Sequence, residues 1–444
     1  MDKIALGSIT RWTGGKLNRE NKLPVKGAVI DSRRAFKGSL FFCLRGKKND
    51  GHNYIDEVRK KGGYTIGETK NCDIEVSSST QALWQAARGY RKSLNITTIG
   101  ITGSSGKTTT VGLTEKILKN SYKVKASPKS FNNEIGVPVT LLNIKSDTEL
   151  GVFELGANHR GEIDKLSRLI EPRVGVITNI SDAHIGYFGS YKDIFETKFE
   201  LADNIIGEGL LVYNYDQPDI RGKVEELNIK NIGFGFKKGA DVRGSVLNRD
   251  PECSRFQVEN KEYILKIPGQ FNIYNALAGI VIGQIFKIPQ ELLQKRVEKF
   301  VTRSHRMKKI KLSGIDFIDD SYNSNPTAVK SLFEDMVKIY PSKKIIAVIG
   351  QMRELGKYAS DLHRQTGKFI SELNNVHYVL ASGKNGRELI QGAKEGDVKA
   401  ENIYRFNTKK TAADIIKKVS SKDSVVVLKA SRKEKFEKIL EEFK

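Results

Sequence analysis

The most constraining stretch of the chain is Thr102-Gly103-Ser104-Ser105-Gly106-Lys107-Thr108-Thr109. A β-rich run from Ile96 to Ile101 precedes it, and a helical pattern from Lys107 to about Lys119 follows. A strand that passes through a glycine loop into a helix N-terminus is a cradle for phosphate. The glycines let the backbone turn its N–H groups toward one anion, and the positive end of the helix dipole adds to the attraction. On this reading Gly103, Ser104, Ser105 and Gly106 form the cradle, with Thr109 beside it. Lys107 reaches the β- and γ-phosphates, and the Thr108 hydroxyl holds Mg²⁺. The loop is a short one: where the general phosphate loop has a further glycine, this chain has Ile101.

Length and charge bound the rest. A chain of 444 residues accommodates two to four domains. The formal net charge of +23 raises the question of a nucleic-acid partner. The lysines are spread out, however, in isolated pairs such as Lys47-Lys48 and Lys308-Lys309, with no basic tail. Lys-rich surfaces that attract anionic small molecules account for this better, so no nucleic-acid partner is expected. Cys43, Cys72 and Cys253 lie far apart without a Cys-x-x-Cys pair, which argues for a reducing cytoplasm and against a disulfide framework or a zinc site. Met1 to Gly15 has no apolar core of a signal peptide, and no run is long enough to span a membrane.

The expected fold class is α/β in three domains. Residues 1–78 read as a small α/β domain, with strands Ala28 to Asp31 and Ser39 to Leu44 and a helix Tyr54 to Lys61. Residues 79–302 read as a central domain with a mostly parallel sheet, a lead-in helix over 80–93 and a β flap over about 208–268. Residues 303–444 alternate strand and helix in the Rossmann-like manner, with strands at Phe317 to Asp320, Lys344 to Ile349, Tyr378 to Ala381 and Ser424 to Leu428. Glu154 ends the strand Leu150 to Glu154, where a carboxylate beside the phosphate loop can complete a Mg²⁺ shell. His184 follows the strand Val174 to Thr178, and Lys198 lies on the next helix. Asn132 and Asn133 sit in a polar turn. Asn272 and Asn275 share one face of a helix and can read an adenine edge.

These runs resemble the Mur ligase family, ATP-dependent amino-acid and peptide ligases of bacterial cell-wall precursor synthesis. The resemblance covers the whole chain. It is most specific in Glu154-Leu155-Gly156-Ala157-Asn158, in Asp319-Asp320-Ser321-Tyr322-Asn323-Ser324-Asn325-Pro326, and in Gly350-x-Met352-x-Glu354-Leu355-Gly356. It implies a ligase that joins D-alanyl-D-alanine to UDP-N-acetylmuramoyl-tripeptide through an acyl phosphate, as a cytoplasmic monomer using ATP and Mg²⁺. It also implies that Ser32, Arg33, Asp50 and His52 contact the uridine diphosphate. Asn272, Asn275, Arg306 and Asp320 contact the nucleotide, while Glu154, His184 and a carbamylated Lys198 hold metal beside Thr108. Lys107, His184 and Lys198 carry catalysis. Asn132, Asn133, Asn323, Asn325, His363, Ser431 and Arg432 are substrate-side candidates. The chain departs from relatives at Phe271, usually His, at Lys129-Ser130, usually Gly-Asn, and at Ala430, usually Gly. Two other readings stand at this point: a Mur-type ligase with a different amine, and a nucleic-acid-dependent P-loop ATPase.

Overall fold

The computed structural model describes residues 1, 4–19, 23–128, 131–301 and 307–444. Arg306 and Lys129-Ser130 fall outside them. Three sheets organise the chain. The first contains β1 (Lys16–Leu17), β2 (Gly27–Val29), β3 (Ser39–Phe42), β4 (Tyr64–Gly67) and β5 (Ile74–Glu75), in the order β1-β5-β4-β3-β2. Asn143 of the next layer closes its open edge, donating from Nδ2 to Ala28 O (2.8 Å) and accepting from Ala28 N–H (3.1 Å). An unpaired strand edge is thereby satisfied by a side chain rather than by a further strand.

The second sheet has nine strands: β6 (Thr97–Thr102), β7 (Val124–Ala126), β8 (Leu150–Glu154), β9 (Val174–Ile177), β10 (Leu210–Asn214), β11 (Lys230–Gly235), β12 (Val242–Arg249), β13 (Ser254–Val258) and β14 (Lys261–Leu265). Their order is β14-β13-β12-β11-β10-β9-β6-β8-β7. This corrects the expected flap over 208–268. β10 and β11 extend the main sheet in parallel, with a helix Pro218–Glu225 between them, and β12 to β14 continue it. The pattern from sequence failed here because β10 is a short apolar run, which strands of either kind share.

Register places the site. β6 lies between β8 and β9, with Ile101 opposite Glu154 and Thr102 opposite Ile177. The carboxyl ends of three parallel strands are therefore level, and the loops leaving them open into one crevice, where open parallel sheets bind ligands.

The third sheet runs β15 (Lys308–Leu312), β16 (Ile315–Asp320), β20 (Ser424–Lys429), β17 (Lys344–Ile349), β18 (Val376–Ala381), β19 (Ile403–Arg405), with β15 antiparallel at the edge. β15 reads Lys-Lys-Ile-Lys-Leu, and that charge on a short edge strand hid it from the sequence while discouraging edge pairing. Among the described residues no helix is long and apolar enough to cross a membrane.

Candidate active site

The phosphate loop has the shape its glycines predict. Gly103 has φ of 141° and Gly106 φ of 83°. A Cβ at Gly103 would stand 2.1 Å from Thr178 Oγ1, and one at Gly106 would stand 2.2 Å from Asn275 Oδ1. Glycine is thus demanded by conformation and by space. The loop following β9 holds it from beneath. Ser104 N–H donates to Asn179 O (2.8 Å) and Ser105 N–H to Asn179 Oδ1 (3.0 Å). Thr178 Oγ1 donates to Ser105 O (2.7 Å), and Ser104 Oγ to Ser181 O (3.1 Å). Lys107 opens the helix Lys107–Leu118 and bends back over the loop, with Nζ 2.5 Å from Gly103 O.

A cavity of about 600 Å³ lies above this loop, between the second and third sheets. Ser104 to Thr109, Glu154, His184, Asn272 and Asn275 form one wall; Asp320, Asn323, Asn325, Asp335 and Lys429 contribute to the other. A second cavity of about 310 Å³ adjoins it, lined by Asn133, Glu162 and Glu354 among others. Lys107, Asn132 and His184 line both, so they stand where the two chambers meet.

Glu154 is buried at the end of β8. One of its oxygens accepts from Asn132 Nδ2 (2.8 Å). No cationic side chain pairs with it among the described residues. A buried carboxylate without such a partner calls for positive charge, and oxygen donors suit Mg²⁺. His184 has φ of 66°, a left-handed conformation that costs a non-glycine residue free energy and recurs at functional sites. Its Nδ1 lies 2.5 Å from Glu354 Oε2, off the line of a good hydrogen bond, and this neighbour holds the Glu354 carboxyl below its ordinary range. The same junction joins the two sheets' loops: Gly186 N–H donates to Glu354 O (2.9 Å) and Tyr358 Oη to Gly189 O (2.8 Å).

Lys198 rides on the helix Tyr191–Phe199, whose N-terminus is capped by Ser190. It is 2 % exposed, its Nζ lies 5.6 Å from the centre of the Phe188 ring, and no carboxylate pairs with it among the described residues. Burial, and then the charge of Lys107, bring its pKa down to about 7. It lines neither cavity but sits behind them.

Other residues have structural partners. Asn275 Oδ1 accepts from Thr110 Oγ1 (3.3 Å) and packs on Gly106; Asn272 Nδ2 donates to Pro268 O (2.8 Å). Both line the larger cavity while buttressing it. Asp320 is paired with Lys429 (2.5 Å), its direct neighbour across the β16–β20 register. Asn325 caps the helix Pro326–Ile339, and Asn133 Oδ1 accepts from Gly136 N–H (2.9 Å). Asn323 Oδ1 accepts from Ser324 N–H (2.9 Å).

The remaining candidates also have partners of their own. His363 is fully buried; Nδ1 donates to Ala359 O (2.6 Å) and Nε2 accepts from Met352 N–H (3.1 Å). It is a neutral imidazole that shapes the loop after β17 and lines neither of the two cavities. Ser431 is buried and donates to Gln351 O (2.6 Å), and Arg432 pairs with Glu437 (2.5 Å). His52 has a side chain 8 % exposed, with Nδ1 2.6 Å from Asp50 Oδ1 and Nε2 accepting from Glu68 N–H (2.9 Å). Its ring ties the Asp50-Gly51-His52 turn to Glu68. Ser32 donates to Glu57 (3.1 Å), and the exposed Arg33 pairs with Asp31 (2.8 Å). Ala430 replaces glycine without strain, because its φ is not positive; the space is yielded by Gly350, where a Cβ would stand 2.7 Å from that of Ala430.

The sequence reading missed two groups. Asn179 lies two residues past the end of β9 and clamps the phosphate loop from both its amide and its carbonyl. Asp335 reaches from the third sheet's helix Pro326–Ile339 to the start of the helix Gln270–Ile285, where its Oδ2 would stand 3.0 Å from a Cβ at the N-cap Gly269, which offers no side chain of its own. A lone Asp among Leu332, Phe333 and Met336 was its signal.

Comparison with known proteins gives the same frame. The Mur ligase middle domain matches residues 101–283, and the Mur ligase, glutamate ligase domain matches residues 305–432. The UDP-N-acetylmuramoyl-tripeptide–D-alanyl-D-alanine ligase of Bacillus subtilis is 31% identical over 429 residues, covering 94% of this chain and 93% of that protein. A MurF structure from Acinetobacter baumannii superposes with a TM-score of 0.89 at 26% identity, covering 99% of this chain and 98% of that one. MurF of Thermotoga maritima, solved in complex with ADP, gives 0.82 at 28% identity over 94% of this chain and 97% of that one. With its short phosphate loop, its sheet order and this likeness from end to end, the chain belongs to the Mur ligase family, within the MurF group.

Proposed function

We propose that this chain joins D-alanyl-D-alanine to UDP-N-acetylmuramoyl-tripeptide with hydrolysis of ATP to ADP and phosphate. The observation that carries this is the pair of adjoining cavities with Lys107, Asn132 and His184 on their shared wall. A reaction that moves a phosphoryl group from a nucleotide to a second substrate needs two chambers that meet at the transferred group. Residues 79–302 hold ATP, residues 1–78 the nucleotide-sugar, and residues 303–444 close the cleft and take the dipeptide. Arg306 belongs to this set by its place in the family motif.

The chemistry follows from charge. A carboxylate resists an amine because it is anionic and lacks a leaving group. Attack of one carboxylate oxygen on the γ-phosphorus of ATP expels ADP and leaves an acyl phosphate. The dipeptide's neutral amine adds to its carbonyl carbon, phosphate leaves with the C–O bond, and the amine proton passes to solvent. Positioning and charge neutralisation dominate such a transfer. Lys107 supplies a cation at the meeting wall, and the loop N–H groups orient the phosphates. Glu154 and Thr108 are the oxygen donors that fit Mg²⁺, and His184 offers Nε2 because Nδ1 faces Glu354. Bound there, Mg²⁺ offsets the charge of the phosphate oxygens.

We also infer that Lys198 is carbamylated in the active enzyme. Its neutral Nζ adds to CO₂ and loses a proton, which replaces a buried, unpaired cation with a carboxylate-like group. Burial and Lys107 favour the neutral amine this requires. The setting is cytoplasmic, in keeping with a sequence of three scattered cysteines and no Cys-x-x-Cys pair. A phosphate-release assay tests the function. Release should require the nucleotide-tripeptide and D-Ala-D-Ala together; equal turnover with single amino acids, or stimulation by DNA or RNA in place of the dipeptide, would overturn it.

A further inference from the structure

Away from the cleft, Cys43, His52 and Cys72 converge inside the first sheet. Cys43 follows β3, Cys72 precedes β5, and His52 comes from the turn between β3 and β4. The two sulfurs are 4.0 Å apart in fully buried residues. One ligand atom from each of the three residues lies within 4.8 Å of the others. Gly67 of β4 keeps this space open: a Cβ there would stand 2.6 Å from His52 Nε2 and 2.9 Å from Cys72 Sγ. Its φ is not positive, so space rather than conformation calls for glycine. Asp50 holds Nδ1 of His52, which turns Nε2 inward. Carboxylates orient metal-binding imidazoles in this manner.

Two chemistries suit a pair of thiols. A disulfide needs the sulfurs about 2.05 Å apart, so they would have to close by about half their separation. Tetrahedral Zn²⁺ with Zn–S bonds of about 2.3 Å holds two sulfurs about 3.8 Å apart, close to what is seen. We propose that Cys43 Sγ, Cys72 Sγ and His52 Nε2 form a Zn²⁺ site, with water as the fourth ligand. On binding, each thiol gives its proton to solvent and each thiolate donates an electron pair to the ion. Nε2 donates its lone pair, Nδ1 keeps its proton toward Asp50, and Glu68 N–H gives up Nε2 as acceptor. Two thiolates and one Zn²⁺ sum to no net charge, which suits burial. Thiolates also select Zn²⁺ over Mg²⁺, separating this site from the oxygen donors around Glu154. The ion would pin the Asp50-Gly51-His52 turn to β3 and β4.

Equilibrium dialysis of the untagged full chain against Zn²⁺, with Co²⁺ as the spectroscopic probe, tests this. One equivalent should bind, and Co²⁺ should give a thiolate charge-transfer band. C43S and C72S should each abolish the band and weaken Zn²⁺ binding by at least about 100-fold, and D50N should weaken it by about 10–100-fold. C253S, which removes the thiol outside the cluster, should bind as the parent does. A parent chain that takes up no Zn²⁺, or that forms a Cys43–Cys72 disulfide in its presence, would overturn the proposal. Should the cysteine variants fail to fold, the parent's Co²⁺ spectrum decides alone: a band of thiolate origin supports the site, and its absence refutes it.

Discussion

The two walls of the nucleotide cleft are built on different principles. The central wall is held by backbone shape. Gly103 and Gly106 adopt positive φ, neighbouring strands end level, and Asn179 ties the loop down. The C-terminal wall is held by charge. Asp320 and Lys429 form a buried pair, and Asp335 brings a carboxylate to the N-terminus of a helix of the opposite wall. Backbone shape fixes where phosphate oxygens sit and does not depend on closure. Charge contacts across the cleft depend on the walls meeting. Damage to the central wall should therefore fall on kcat, and damage to the C-terminal wall on nucleotide affinity.

The largest effect is expected from Lys107→Ala. Loss of the cation at the junction of the two cavities should lower kcat by about 10³-fold or more. The side chain is only half-buried, so the melting temperature should stay within about 3 °C of the parent. Near-normal turnover would show that the loop is not the ATP site.

Next comes Lys198→Ala, which removes the inferred carbamate and should lower kcat by about 10²-fold. Added short carboxylic acids should restore part of the activity by filling the vacated space. Full activity without them would dismiss the carbamate.

The smallest effect belongs to the C-terminal wall. Burial raises the Asp335 carboxyl to about 6, so it gains its charge as pH rises through that value. The ionised form is attracted by the positive end of the helix Gln270–Ile285, and it favours the placement of the helix that carries Asn272 and Asn275. The KM for ATP should accordingly fall as pH rises from about 5 to 7. Asp335→Asn keeps an acceptor but not the charge; its KM should be about 3–5-fold higher at pH 8 and flat across that range. A kcat loss as large as that of Lys107→Ala would erase the contrast between the walls.

Legibility in the sequence follows the same division. The central wall could be read because glycine conformation and strand-end position are local properties, visible in Gly103, Gly106 and Glu154. The contacts of the C-terminal wall could not, because Asp335 acts on a helix far away in sequence. The partners of two histidines were hidden for a related reason. His52 and His363 sit in motif-like runs, yet both satisfy backbone groups beside them, and only packing reveals that. The cysteines show the converse. Their spacing carries no metal motif, and the end of β3 and the turn from β4 to β5 bring Cys43 and Cys72 together in space.

Oxygen transfer from substrate to phosphate tests the central claim most directly. UDP-N-acetylmuramoyl-tripeptide labelled with ¹⁸O in its terminal carboxylate would be turned over with ATP and D-Ala-D-Ala, and the released phosphate analysed by mass spectrometry. Formation of an acyl phosphate in the cleft requires one ¹⁸O from the carboxylate in each phosphate released. Ligated product accompanied by unlabelled phosphate would contradict it.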